Sequence, residues 1–154
     1  MSLRHHLQRL LDWEEAHVGF DAAVDGLPVR YRGTVPDGLP WSPWQLLEHL
    51  RRAQEDILDF CINPDYQSRK WPDDYWPADP APPSAGAWNE SLAGFRKDRD
   101  ALKRLVADPD IDLLARIPHG SGQTYLRELL LVADHTAYHV GQIVAVRRAL
   151  GAWK

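Results

Sequence analysis

The segment ADHTAYHVGQIVAVRR, Ala133 to Arg148, sets two histidines, His135 and His139, four positions apart in one of the most apolar stretches of the chain. Successive residues of an α-helix turn by about 100°, so this spacing puts both rings on one face, about 40° apart on adjacent turns. Leu131 precedes the pair on that face, and Gln142 and Val146 continue it, so the stripe points toward a core rather than into water. With Gly151 placed as a C-terminal cap, the pattern predicts a last helix over about 124–150.

Three further segments carry a helical period. Leu3, Leu7, Leu10, His17 and Val24 recur at spacings of three, four or seven, which predicts a first helix over about 2–24 with His17 on the seam facing the core. SPWQLLEHL, residues 42–50, opens a second helix that runs to about Ile62: Ser42 caps, Pro43 fits the first helical position and Gln45 completes a capping box. His49 falls within its apolar arc of Leu46, Leu50, Ala53, Ile57 and Phe60. Ser84 is placed to cap a third helix over about 84–107, with Trp88, Leu92, Phe95, Leu102 and Leu105 on its inner face.

The connections are long. Residues 25–41 hold Pro28, Pro36 and Pro40 among glycines and form a crossover loop. Residues 63–83, NPDYQSRKWPDDYWPADPAPP, have no sustained period, yet two Trp and two Tyr are too much apolar area for a solvated linker. An ordered loop packed on the helices, closing one end of a pocket, is expected there. A short extended piece fits ARIPHGSGQ, residues 115–123. The fold class is therefore all-α: a single-domain four-helix bundle over 1–154 with long Pro/Trp-rich connections.

Net charge is −4 with 18 basic residues spread along the chain, which points away from nucleic acid and from an anionic membrane surface. The start of the chain is charged almost from its first residue and lacks the uninterrupted apolar run of a signal peptide or membrane span. A lone cysteine, Cys61, excludes a disulfide framework and a multi-cysteine zinc site, and reads as packing. Cytoplasmic localisation is the expectation, with a small molecule or a second copy of the chain as partner.

Burying two imidazoles calls for compensating hydrogen bonds, each costing about 1–3 kcal/mol if unmade. A divalent metal satisfies both rings at once. His49 is the best third donor, because it too lies in an apolar arc on a helix able to pack against the last one. Three imidazoles from two helices suit zinc, nickel or iron and leave positions open for water or substrate. HTAYH lacks the Glu that follows the first histidine of a zincin helix, which argues against a metalloprotease. A di-iron carboxylate bundle needs Glu-x-x-His, whereas EHL and DHT put the acid next to the histidine, on another face.

Other polar residues keep open readings. Gln142 is a hydrogen-bonding partner behind the histidines or a plain polar core residue, and Tyr138 borders the stripe as a pocket residue or as packing. His17 is a fourth ligand, a proton shuttle or a hydrogen-bonded core residue. His119 overhangs one end of the bundle or is solvated.

SPWQLLEHL paired with DHTAYHVGQIVAVRRALG resembles the DinB-like, or YfiT-like, metalloenzymes, and the resemblance extends over most of the chain through NPDY…WPDDYWP and GQTYLRELL. It implies an up-down-down-up bundle, commonly a homodimer, with a metal on His49, His135 and His139. It also implies a metal-dependent enzyme that activates a small thiol such as bacillithiol, mycothiol or glutathione toward an electrophile, as an S-transferase or isomerase. The alternative is a non-catalytic metal- or small-molecule-binding bundle of a stress response.

Overall fold

The computed structural model describes residues 2–12 and 15–153. Its helices are α1 (Leu3–Leu10), α2 (Phe20–Val24), α3 (Pro43–Ile62), α4 (Ala87–Ala107) and α5 (Tyr125–Ala149), with a 3₁₀ turn at Val29–Tyr31. Among the described residues there is no strand, only an isolated antiparallel bridge between Arg116 and Thr124 in the segment read as extended.

α3 starts where its cap chemistry dictates. Ser42 Oγ accepts from the Gln45 amide and Gln45 Oε1 accepts from the Ser42 amide, each at 3.1 Å, and Pro43 occupies the first turn, where its missing N–H costs nothing. α3 packs between α4 and α5, and α2 also lies on α5. Leu46, Leu47 and Leu50 are fully buried on α3, where they meet Trp88 and Phe95 of α4 and Ile143 of α5. A second cluster, around Leu58, Leu102 and Leu129, fills the other end of the bundle and includes Cys61.

α5 ends in a Schellman arrangement. Gly151 has φ +66°, its amide donates to the Arg148 carbonyl at 3.0 Å, and the Ala152 amide donates to Arg147 at 2.8 Å. α5 is long and apolar enough by length and composition to cross a membrane, but its inner face is covered by α2 and α3. It also carries a buried guanidinium: Arg147 Nη1 donates to the Ala23 and Asp25 carbonyls at 2.6 and 2.7 Å, tying α2 to α5.

The predicted first helix is corrected. It is two short helices, α1 and α2, and the residues described between them are not helical. The seam over 11–19 depended on His17 alone, and Val18 and Gly19 are poor helix formers; Gly19 instead serves as the N-cap of α2. His17 is exposed, not on a core seam. The start of α4 also moves: Gly86 is its N-cap, although Ser84 Oγ still accepts from the Ala87 amide at 3.1 Å.

The long connection over 63–86 is ordered along one polar stripe of α3. Ser42, Gln45, His49, Arg52 and Asp56 recur at spacings of three and four, which aligns them on one face. Ser42 Oγ donates to the Pro80 carbonyl at 2.6 Å, Gln45 Nε2 to Pro77 at 3.3 Å and Arg52 Nη1 to Asp74 at 3.4 Å. The loop therefore runs antiparallel to α3 and lays its aromatic residues beside His49.

Candidate metal centre

α3 contributes His49, and adjacent turns of α5 contribute His135 and His139. Nε2 of His49 stands 3.0 Å from Nε2 of His135 and 3.1 Å from Nε2 of His139. One ligand nitrogen from each ring lies within 4.8 Å of the other two. His49 and His139 are buried, while His135 is half-buried at the cavity side. Burial and the neighbouring imidazole of His139 push His49 down to about 3 and His135 to about 4, and burial lowers His139 as well. All three rings are thus neutral near pH 7, the state a metal requires.

Their outer nitrogens decide the tautomers. The Tyr75 carbonyl is only an acceptor, so His49 Nδ1, 3.2 Å away, carries the proton and Nε2 is left with a bare lone pair. His139 Nδ1 likewise donates to Gln142 Oε1 at 2.7 Å, which bares its Nε2. Two lone pairs then face each other at 3.1 Å. A proton on His135 Nε2 would serve one of these contacts and leave the His49–His139 pair opposed. A cation among the three serves them all.

Spacing agrees with that donor chemistry. Nitrogens bound at about 2.0–2.1 Å to one ion stand about 2.9–3.4 Å apart, and the separations of His49 Nε2 from the other two, 3.0 and 3.1 Å, lie in that range. With backing from the Tyr75 carbonyl and Gln142, the group has the ring-orienting contacts that metal-binding histidines use. The three-histidine group is compatible with holding a metal ion.

A cavity of about 440 Å³ opens in front of the cluster. Trp76 stacks on His49 with ring centroids 3.7 Å apart and planes 8° from parallel, and Trp41 stacks on the far side of Trp76 at 4.1 Å. Trp71, Leu131 and Tyr138 extend the apolar wall, and Asp134 is the single acidic residue among the described lining. Neither Lys nor Arg is among the described lining residues.

The remaining histidines stand elsewhere. His17 has Nδ1 2.9 Å from its neighbour's carbonyl at Val18 and borders a separate cavity of about 560 Å³ between α1, α2, α4 and α5. His119 is exposed, with Nε2 2.7 Å from the Phe60 carbonyl. Phe60 is 11 residues beyond His49 on α3, which is about 16 Å along the axis. Tyr138 is 63% exposed and sets its ring at 85° to that of His139, with centroids 4.9 Å apart.

The sequence placed the Trp- and Tyr-rich segment 63–83 over a pocket without singling out Trp76 or the Tyr75 carbonyl, and Trp41 and Asp56 were overlooked. A signal for the last was present: five polar residues, Ser42, Gln45, His49, Arg52 and Asp56, recur at helical spacing along one face of α3.

Comparisons with curated proteins and with solved structures returned no match. A family model described as the DinB superfamily matches residues 12–143, a span that takes in α2 to α4 and all three histidines of the centre. On that match over most of its length, the chain belongs to the DinB superfamily.

Proposed function

We propose that the chain is a metal-dependent enzyme that activates a small thiol for attack on an electrophile, as an S-transferase or isomerase. The observation that carries this reading is the convergence of three neutral imidazoles, two with protons committed outward, at the wall of an open cavity. Three protein donors are what a catalytic site supplies, whereas a structural site closes with four. A divalent ion of the zinc, nickel or iron class held there supplies Lewis acidity that lowers the pKa of a thiol at an open position.

The chain's own residues do the rest. His49, His135 and His139 are held neutral by burial, and Tyr75 and Gln142 fix the two buried rings. The Trp41–Trp76 pair and Leu131 give an apolar wall that excludes water and receives the body of the electrophile. With Asp134 as its charged lining residue, the cavity favours a neutral or cationic electrophile over an anionic one. In the reaction the thiol proton leaves to solvent and the sulfur pair forms the new bond to carbon. A displaced group leaves with its bonding electrons in a transfer; in an isomerisation the thiol is expelled again after a bond rotates.

Homodimeric assembly and a reducing cytoplasmic setting belong to the same reading, and light scattering on the purified protein checks the first. Activity is tested by incubating metal-loaded protein with bacillithiol, mycothiol or glutathione and a panel of electrophiles while following free thiol. Faster thiol loss with one pairing, abolished in His139→Ala, supports the enzyme. Bound metal without turnover across the whole panel supports the binding bundle instead.

A further inference from the structure

Asp56 has no place in the donor set, yet it is buried two turns beyond His49 on the same stripe of α3. Its carboxylate accepts from the Tyr66 hydroxyl at 3.0 Å and from the Tyr75 hydroxyl at 2.7 Å, and the Arg69 guanidinium is 3.4 Å away. Burial and that carboxylate push the Tyr66 hydroxyl up to about 12 and raise Tyr75 too, so both remain protonated donors. Tyr66 stands near the start of the connection between α3 and α4 and Tyr75 near its middle. One carboxylate therefore pins that connection twice.

Tyr75 links this clamp to the centre. Its side chain ends on Asp56, and its backbone carbonyl receives His49 Nδ1. It sits in a turn in which the Tyr75 and Trp76 amides both donate to the Pro72 carbonyl, at 3.0 and 3.2 Å. The same turn lays the Trp76 ring flat on His49. His49 is thus gripped at one edge and one face by a turn that the Tyr75–Asp56 hydrogen bond ties to α3, beside the contacts of Arg52 with the Asp74 carbonyl and of Gln45 with the Pro77 carbonyl.

We propose that Asp56 is a positioning residue for the histidine centre: through the Tyr75 hydroxyl it holds the turn whose carbonyl keeps the His49 proton on Nδ1 and Nε2 free for a ligand. The inference rests on the metal reading only for its consequence in affinity; the tautomer itself is a property of the metal-free protein. Without the clamp the carbonyl is held less firmly, by the Asp74 and Pro77 contacts alone, and the His49 proton redistributes in part between its two nitrogens. Part of the population then presents an N–H where a lone pair is needed. Orienting contacts of this kind are typically worth about 10–100-fold in metal affinity.

The test compares wild type with Tyr75→Phe, Asp56→Asn and Tyr66→Phe. Each is measured by ¹⁵N NMR of the His49 ring without metal and by zinc titration against a competing chelator. Thermal unfolding and amide dispersion establish that each variant is folded, and Tyr75→Phe keeps the ring packing if Asp56→Asn does not fold. Expected are an Nδ1–H tautomer in wild type, a mixed tautomer in Tyr75→Phe and Asp56→Asn, and zinc affinity weaker by about tenfold or more in those two. Tyr66→Phe loses a hydrogen bond to the same carboxylate but touches no histidine; it should keep the wild-type tautomer and an affinity within about twofold. Wild-type tautomer and affinity in Tyr75→Phe, or equal damage from Tyr66→Phe, overturns the proposal. If wild type takes up no zinc, nickel or iron, the proposed function fails, and the tautomer comparison alone decides the role of Asp56.

Discussion

Replacing Glu48 with Gln should loosen the bundle by an amount the structure lets one work out. Glu48 is 6% exposed. Its Oε1 accepts from Arg51 Nη2 at 2.7 Å and Arg52 Nε at 2.8 Å; Oε2 accepts from Arg51 Nε at 2.8 Å and from Ser91 of α4 at 2.9 Å. Burial alone would raise its pKa, but hydrogen bonds from Arg51 and Arg52 and their charges outweigh that and hold it at about 2 against the ordinary 4.5. At about 1.4 kcal/mol per unit this corresponds to about 3 kcal/mol. Because the side chains of Arg51 and Arg52 are 23% and 27% exposed, solvent screening reduces it to about 2 kcal/mol.

Glutamine keeps the volume and removes the charge, turning an acceptor toward the guanidinium donors into an amide that also carries N–H groups. For a chain of this length about 2 kcal/mol lowers Tm by about 4–8 °C. Thermal and urea unfolding of metal-free Glu48→Gln measures this without involving the neighbouring histidine centre. Ser91→Ala, which removes one hydrogen bond to the carboxylate, should cost about 1–2 kcal/mol. A Glu48→Gln protein that melts within about 1 °C of wild type would refute the view that the buried, arginine-paired carboxylate stabilises the fold.

Two other outcomes follow from the core. Phe95 is 1% exposed and stacks on Phe20 at 3.8 Å, so Phe95→Ala should cost about 3–5 kcal/mol in urea unfolding. The Cys61 thiol is buried, and that burial together with Glu128 pushes it up to about 12 from 9.0. The unfolded chain therefore gives up this proton first, so the thiol's contribution to stability is present below pH 9.0 and fades as pH rises toward 12. A thiol-specific dye at pH 8 should label native protein only as fast as it unfolds, and immediate labelling would contradict this.

The parts of the fold legible in sequence were those with local signals. Ser42, Pro43 and Gln45 announce the start of α3 because the capping box is built from neighbours in sequence. Gly151 marks the end of α5 for the same reason. His135 and His139 declare their common face by spacing alone, and His49 declares its burial by its apolar neighbours. The break between α1 and α2 was not legible, since a period carried by one histidine over 11–19 does not show whether a core exists to receive it. Nor was the place of Trp76 and Tyr75: their contacts to His49 span more than twenty residues and depend on how a loop without periodicity lies along α3.

The central claim is that His49, His135 and His139 hold one metal ion among them. Elemental analysis of protein purified without a histidine tag, as isolated and after metal reconstitution and dialysis, tests it most directly. About one divalent transition-metal ion per chain is expected, lost in His49→Ala and His139→Ala variants that remain folded. A wild-type protein that retains no metal after reconstitution, or variants that keep it, would contradict the claim.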